Sequence, residues 1–398
     1  MRIATANSYD ASVDALSRRQ GDLTGIQEQL STTKRVNRAS DDPAAAGRAE
    51  RALAAEMRTD ASQRAVDASQ TAMTLSESAL GDAGELMQQI REAMVAGGNA
   101  SYSDAERAAQ AEKIKGLRDQ LLAVANRTDG SGTHLFGGQG ADQPPFVDAS
   151  GGVQYRGVGG EAAGASGNDA LPLTVDGSTA WMSARTGNGV FQTQSVVSNG
   201  SAWIDNGRVT DPQALTGSTY TLQFADVAGT MTYSVLQDGL PTAAAGVPFT
   251  PGKAIEFDGQ SVTITGNPAD GDQFTTQPST PNASVFDVLD KTIADLKTPL
   301  RASGRIAQDN AFNLGAVDAV AGQLSSMRSR VGETLNRIDS VTGSNASLKL
   351  ASQTERQNAE GLDMVEAISN FQNKQTGYDA ALKSYALVQK ISLFNYIS

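Results

Sequence analysis

A single imidazole, His134, stands in a chain that has no cysteine. One residue must therefore serve every use that needs a base near neutral pH or an imidazole metal ligand. A disulfide framework, a thiolate zinc site and a cysteine nucleophile are excluded outright. Asp41 and Asp42 offer two adjacent carboxylates, but no third ligand stands in register with them. Asp42-Pro43 instead has the form of a helix start, with Asp42 as N-cap and Pro43 in the first helical position. The glycine run around Phe136 lacks the Gly-Lys-Ser/Thr of a phosphate-binding loop, and no Gly-x-Ser-x-Gly elbow has a usable histidine partner. The carboxylates between 136 and 283 show no spacing that would separate an acid from a base. His134 therefore reads as a turn or packing residue, and the chain as a non-enzyme with no catalytic residues, no cofactor and no metal.

The elements that would have to position such groups follow from composition. With 398 residues, 39% apolar and 5% aromatic, the chain has room for two or three compact units. From 1 to about 135 it is rich in Ala, Gln, Ser, Arg and Leu and reads as helix. The stretch 136–283 holds 23 of the 40 Gly, 10 of the 12 Pro and both Trp, and reads as strands and turns. From 284 to 398 the helical pattern returns. The expected fold is α+β: a long helical coiled coil or bundle made by the two terminal arms, with an inserted β-rich domain. The expected divisions are an assembly helix at 1–40, bundle at 41–135, insertion at 136–283, bundle at 284–345 and a second assembly helix at 346–398.

Charge follows the same division. Of the net −12, the middle stretch carries −9, from 4 Lys and Arg against 13 Asp and Glu. Burying that much uncompensated charge would be costly, so the insertion is expected to face outward. Nucleic acid is an improbable partner for so acidic a chain. No stretch approaches the roughly 20 apolar residues that span a bilayer, and Met1–Ser8 does not read as a signal peptide.

In the first arm Tyr9, Leu16, Leu23 and Leu30 recur every seven residues, with Val13 and Ile26 between them. In the last arm Met364, Phe371, Tyr378 and Tyr385 do the same, with Ile368 and Leu382, and Leu387, Ile391 and Phe394 extend the apolar face. Seams this narrow need partners. Interleaved Gly, Ser and Gln make the isolated arms marginal helices, expected to be mobile until packed. Between them, Leu53, Met57, Val66, Met73, Leu80, Met87 and Met94 mark a long helix expected to bundle with 104–127 and 284–340. In the middle, Tyr220, Leu222 and Phe224 against Met231, Tyr233 and Val235 predict one hairpin. Ile255 and Phe257 against Val262 and Ile264 across Asp258-Gly259 predict another. The stretch 150–200 yields no assignment.

Several phrases carry a resemblance. Asn37-Arg38-Ala39-Ser40-Asp41-Asp42-Pro43-Ala44 resembles the motif that bacterial flagellins and their hook-associated relatives share after the first helix. Leu135-Phe136-Gly137-Gly138 followed by Pro145-Phe146, the phrase Gly266 to Phe274, and the terminus Ser392 to Ile397 are similar to segments of the hook-associated members that lie where hook meets filament. The resemblance implies a structural, extracellular protein of the flagellum, exported through the type III apparatus without a cleaved signal peptide. It also implies partners: further copies in a ring, a hook-associated neighbour on one side, flagellin on the other, and an export chaperone holding the C-terminal arm around Leu382 to Ile397. Two other readings stay open here: a flagellin forming the filament itself, and a surface enzyme or glycan-binding module carried on helical anchors.

Overall fold

The computed structural model describes residues 2–99, 101–140, 142–166, 169–301 and 303–397; side chains are described except those of 2–8, 165, 166, 169, 303 and 388–397. Seven helices carry the described chain: α1 (Arg2–Thr32), α2 (Pro43–Gly97), α3 (Asp104–Ala125), α4 (Gly177–Trp181), α5 (Val285–Lys297), α6 (Ser303–Glu360) and α7 (Met364–Ile397). Their starts are written locally. Asp42 Oδ1 accepts from Ala45 N at 3.0 Å, so the expected cap on α2 is made. Ser103 and Glu106 form a reciprocal capping box on α3. Ser284 caps α5 through Phe286 N and Asp287 N, and Asp363 caps α7 through Val365 N and Glu366 N.

Two compact units result, 1–64 with 341–398, and 65–340, so α2 and α6 each contribute to both. In the first, α1 and α7 pair antiparallel, with Tyr9 beside Tyr385 and Asp22 beside Lys374. The bend after α1 is tied to the bend after α6: Arg35 N donates to Glu360 O at 2.7 Å, Arg35 Nη2 to Ala359 O at 2.9 Å, and Lys34 pairs with Glu360 at 3.0 Å. The early part of α2 meets the end of α6 largely through polar groups. Glu56 pairs with Arg356 at 3.0 Å, Asp60 with Lys349 at 2.7 Å, and Asn345 donates to Gln63 Oε1 at 3.1 Å. Ala45, Ala49 and Ala52 supply the close-packed face. Met57 departs from the expected apolar row: it is 62% exposed, on a side of the helix about a third of a revolution from the buried alanines.

From Val66 onward that row is sound, with Val66, Met73, Leu80, Met87 and Met94 all buried in the second unit. The strand-rich stretch of this unit forms two main sheets. The larger runs 240–241, 230–237, 220–227, 273–278, 191–197, with 247–248 also on 230–237; the smaller runs 254–257, 260–265, 203–204, with 208–209 on 260–265. Both predicted hairpins are present, with Leu222 opposite Val235 and Ile255 opposite Val262. Asp258 and Gly259 both have positive φ (39° and 74°), the two-residue turn that matches strand twist. Alternate residues from the two sheets, among them Tyr220, Leu222, Phe224, Val262, Ile264 and Phe274, close into one core. The stretch 150–200, unassigned from sequence, holds short antiparallel pairs, 146–149 with 152–155 and 163–166 with 169–172, and α4.

Candidate assembly surface

The heptads of the two arms meet each other first and leave a remainder outward. Tyr385 Oη donates to Tyr9 Oη at 2.6 Å, with ring centroids 5.6 Å apart. Further along, Lys374 lies 4.0 Å from Asp22. At Gly377 an added Cβ would fall 2.6 Å from Arg19 Nη1, the movable end of that side chain, so α1 and α7 lie close here. Ile26 is buried and Leu16, Leu23, Leu30, Phe371, Tyr378 and Tyr385 are half-buried. Tyr9, Val13, Met364, Ile368, Leu382 and Leu387 stay exposed in the single chain, Leu387 at 61%. The side chains of Ile391 and Phe394, and of the segment Ser392 to Ile397, lie outside the described residues. Periodicity had no reason to single out Val365, which sits one position off the heptad and is 82% exposed. An apolar row left on a paired helix surface is what a further protein face can cover.

The phrase at 135–146 has another role. Phe136 and Phe146 are buried with Trp181 of α4 and Phe286 of α5. Phe136 meets Trp181 edge-on at 5.5 Å, Trp181 stacks on Phe286 at 6.0 Å, and Phe146 lies 5.9 Å from Phe286. Asn126, just past α3, clamps the second aromatic from both sides: its Oδ1 accepts from Phe146 N at 3.0 Å and its Nδ2 donates to Phe146 O at 2.8 Å. Pro145 is buried beside it. Gly137 and Gly138 are also buried, and Gly138 has φ +63°; a Cβ there would run into Val158 O. Beside the cluster the buried Arg118 forks to Asp148 (2.6 and 3.2 Å) and Asp290 (2.7 and 2.9 Å), and its guanidinium lies 6.0 Å from the Phe286 ring centre. Its pKa is pushed up, first by the Asp148 hydrogen bond, while the Asp148 carboxyl is held low by the same contact. These residues hold helices and strands together.

The remaining candidates are occupied. His134 Nδ1 lies 2.8 Å from Asn126 O, in the turn that leads into Phe136. Asp41 Oδ2 accepts from Asn37 N (3.1 Å) and Arg38 N (2.8 Å), closing the loop before α2, with Ser40 exposed in its turn. The Asp42 carboxyl sits below the usual carboxylate range, chiefly through the Ala45 N–H and then through Arg35, and Pro43 opens the helix. Asp272, in the phrase Gly266 to Phe274, is fully buried and accepts from Asn199 N, Gly200 N and Ala269 N at 2.6 to 3.2 Å. Sequence reasoning passed over Arg118, Asn126 and Trp181, whose partners lie tens of residues away.

Residues 3–141 match the model of the bacterial flagellin N-terminal helical region, and 314–397 match that of the bacterial flagellin C-terminal helical region. The chain belongs to the flagellin family. Its similarity to flagellar hook-associated protein 3 of Escherichia coli is 25% identity across 99% of both chains. To the protein of that name from Salmonella typhimurium it is 31% identical over 199 residues, which are 50% of this chain and 59% of the relative. The solved flagellar junction protein of Legionella pneumophila superposes with a TM-score of 0.69 at 25% identity, covering 79% of this chain and all of that one. This flagellin-family chain thus shares both its helical ends and its overall fold with hook-associated relatives. In this chain the phrases at 37–44 and 135–146 fall at a bend and among core aromatics, while the arms carry exposed apolar side chains.

Proposed function

We propose that the chain is a structural subunit of the bacterial flagellum that joins the hook to the filament. The observation that carries this is the antiparallel pair α1 and α7, joined at Tyr9 and Tyr385, with Tyr9, Val13, Met364, Ile368, Leu382 and Leu387 still exposed. A tubular assembly needs each subunit to offer one face to a neighbour and a different, complementary face to the next, a heterologous contact. The paired arms meet that need, and the likeness to hook-associated protein 3 over nearly the whole chain supports the placement. Backbone ordering costs about 1–2 kcal/mol per residue. Arms whose apolar row is covered only in the assembly are therefore fully stabilised only there, so folding of the ends and ring formation are coupled. In this reading the partners are further copies of the chain, a hook-associated neighbour and flagellin, with a chaperone on Leu382 to Ile397 before export. The protein acts by packing and catalyses nothing.

Immunogold electron microscopy of intact flagella, with antibody raised against residues 140–280, tests the proposal. A single narrow band where hook meets filament is the expected result. Label along the whole filament would make the chain a filament flagellin, and flagella without label would remove it from the organelle.

A further inference from the structure

One stripe of α6 carries Arg305, Gln308, Asp309, Phe312, Asn313 and Ala316, spaced as the inner face of a helix. Such a face is ordinarily apolar. Here three of its members are polar and buried, with Gln308 2%, Asp309 8% and Asn313 5% exposed. Two of them are satisfied by neighbouring side chains. Asp309 pairs with Arg301 at 2.8 Å and Arg305 at 3.2 Å, and Asn313 donates to Asp295 at 2.9 Å while accepting from Lys291 at 3.2 Å.

Gln308 makes no hydrogen bond among the described residues. It lines a cavity of about 480 Å³ between this stripe and the strand Phe191–Val197. Its amide atoms are not sealed from solvent. An amide with no protein partner, open to water beside a cavity, can exchange that water for a polar group of a ligand.

The other walls carry matching chemistry. Arg185 lines the cavity and forms no ion pair among the described residues, although only four basic side chains occur between 136 and 283. Lys291 and Arg305 also line it, each already paired with a carboxylate, Asp295 and Asp309, and Gln192 and Gln194 bring further amides. Phe312, half-buried against the sheet core, supplies an apolar surface. One unpaired cation suits a carboxylate, the amides suit hydroxyls, and the ring suits the apolar face of a pyranose. We propose that this cavity binds a small polyhydroxylated carboxylate, a sugar of the hexuronate class. Arg185 receives the carboxylate, Gln308 takes a ring hydroxyl, and Phe312 lies along the apolar side of the ring. The volume falls within the range of small-molecule sites, about 300–1,000 Å³.

Isothermal titration calorimetry of the full chain with glucuronate, glucose and inorganic phosphate tests this. Glucuronate is expected to bind saturably, at least about tenfold tighter than either other probe, as one well-made charged contact implies. Arg185→Gln, at an exposed position, and Gln308→Leu are each expected to weaken glucuronate binding by about tenfold or more. Arg185→Lys should restore part of it, and the thermal midpoint of Arg185→Gln should match the parent. Absence of saturable glucuronate binding, equal affinity for glucose or phosphate, or binding indifferent to Arg185→Gln would each overturn the assignment.

Discussion

Tyr9 and Tyr385, 376 positions apart, share a hydrogen bond of 2.6 Å between their hydroxyls, so the two ends of the chain are fastened side by side. The contact lies on the partly exposed surface of the arm pair, with Tyr9 43% exposed. It secures register while leaving ring edges available to a neighbour. Tyr385→Phe keeps the rings together and removes the shared bond, a loss of about 0.5–1.5 kcal/mol in local pairing. Amide hydrogen exchange should quicken in α1 and α7 of this variant and stay unchanged in the strands.

Leu16 and Leu23 are half-buried between the arms. Replacing both by Asp introduces charge where apolar surface is covered. Incorporation into flagella should be abolished while residues 65–340 keep their protease resistance. Deleting 386–398 should likewise permit synthesis and prevent stable incorporation, releasing flagellin into the medium. Normal filaments in either strain would contradict the role given to the arms.

Phe136 is completely buried against Trp181. Phe136→Ala should cost about 3–5 kcal/mol, from lost burial and the cavity left behind. Urea denaturation followed by Trp fluorescence reads this, since Trp181 lies in the same cluster.

Gly138 and Gly217 both have positive φ, +63° and +72°, but only Gly138 has backbone where a Cβ would stand. Gly217→Ala carries conformational strain alone, on the order of 1 kcal/mol. Gly138→Ala must also push Val158 O away and should be clearly the more damaging of the two, measured by thermal unfolding midpoints.

Acid should weaken the fold in a defined window. The Asp148 carboxyl is lowered chiefly by Arg118, Asp42 by the Ala45 N–H, and Asp104 by the Leu300 N–H. Each folded value lies below the unfolded one, about 4. Their stabilisation is therefore complete above about pH 4 and is lost as pH falls through the lower folded values. Asp287 and Glu161, raised by burial, act in reverse: ionised they oppose folding, and that opposition fades as pH falls through their raised folded values. The urea midpoint should hold or rise slightly from pH 7 to about 5 and drop below about 4. Arg118→Met, which removes the partner of Asp148, should lower the midpoint at pH 7 and flatten the acid limb.

Much of the architecture can be read from local pattern because the forces behind it are local. Asp42-Pro43 starts α2 through its own first-turn amides, Asp258-Gly259 turns a hairpin by its own φ values, and the heptads of Tyr9 to Leu30 and Met364 to Tyr385 identify faces that must be covered. What local pattern leaves open is which element covers which. Met57 continues an apolar repeat yet is exposed, since the buried alanines lie about a third of a revolution round the helix and take the inner side. Phe136, Phe146, Trp181 and Phe286 come from separate segments and become one cluster only when helices and strands dock, and Arg118 gains its two carboxylates in the same step. Period and capping act within a few residues, so the sequence by itself determined the helices, the two hairpins and the seams. Packing is a property of surfaces brought together over long separations, so tertiary structure alone decided which seam residues stay exposed, where the aromatic core closes and that Gln308 is left facing a cavity.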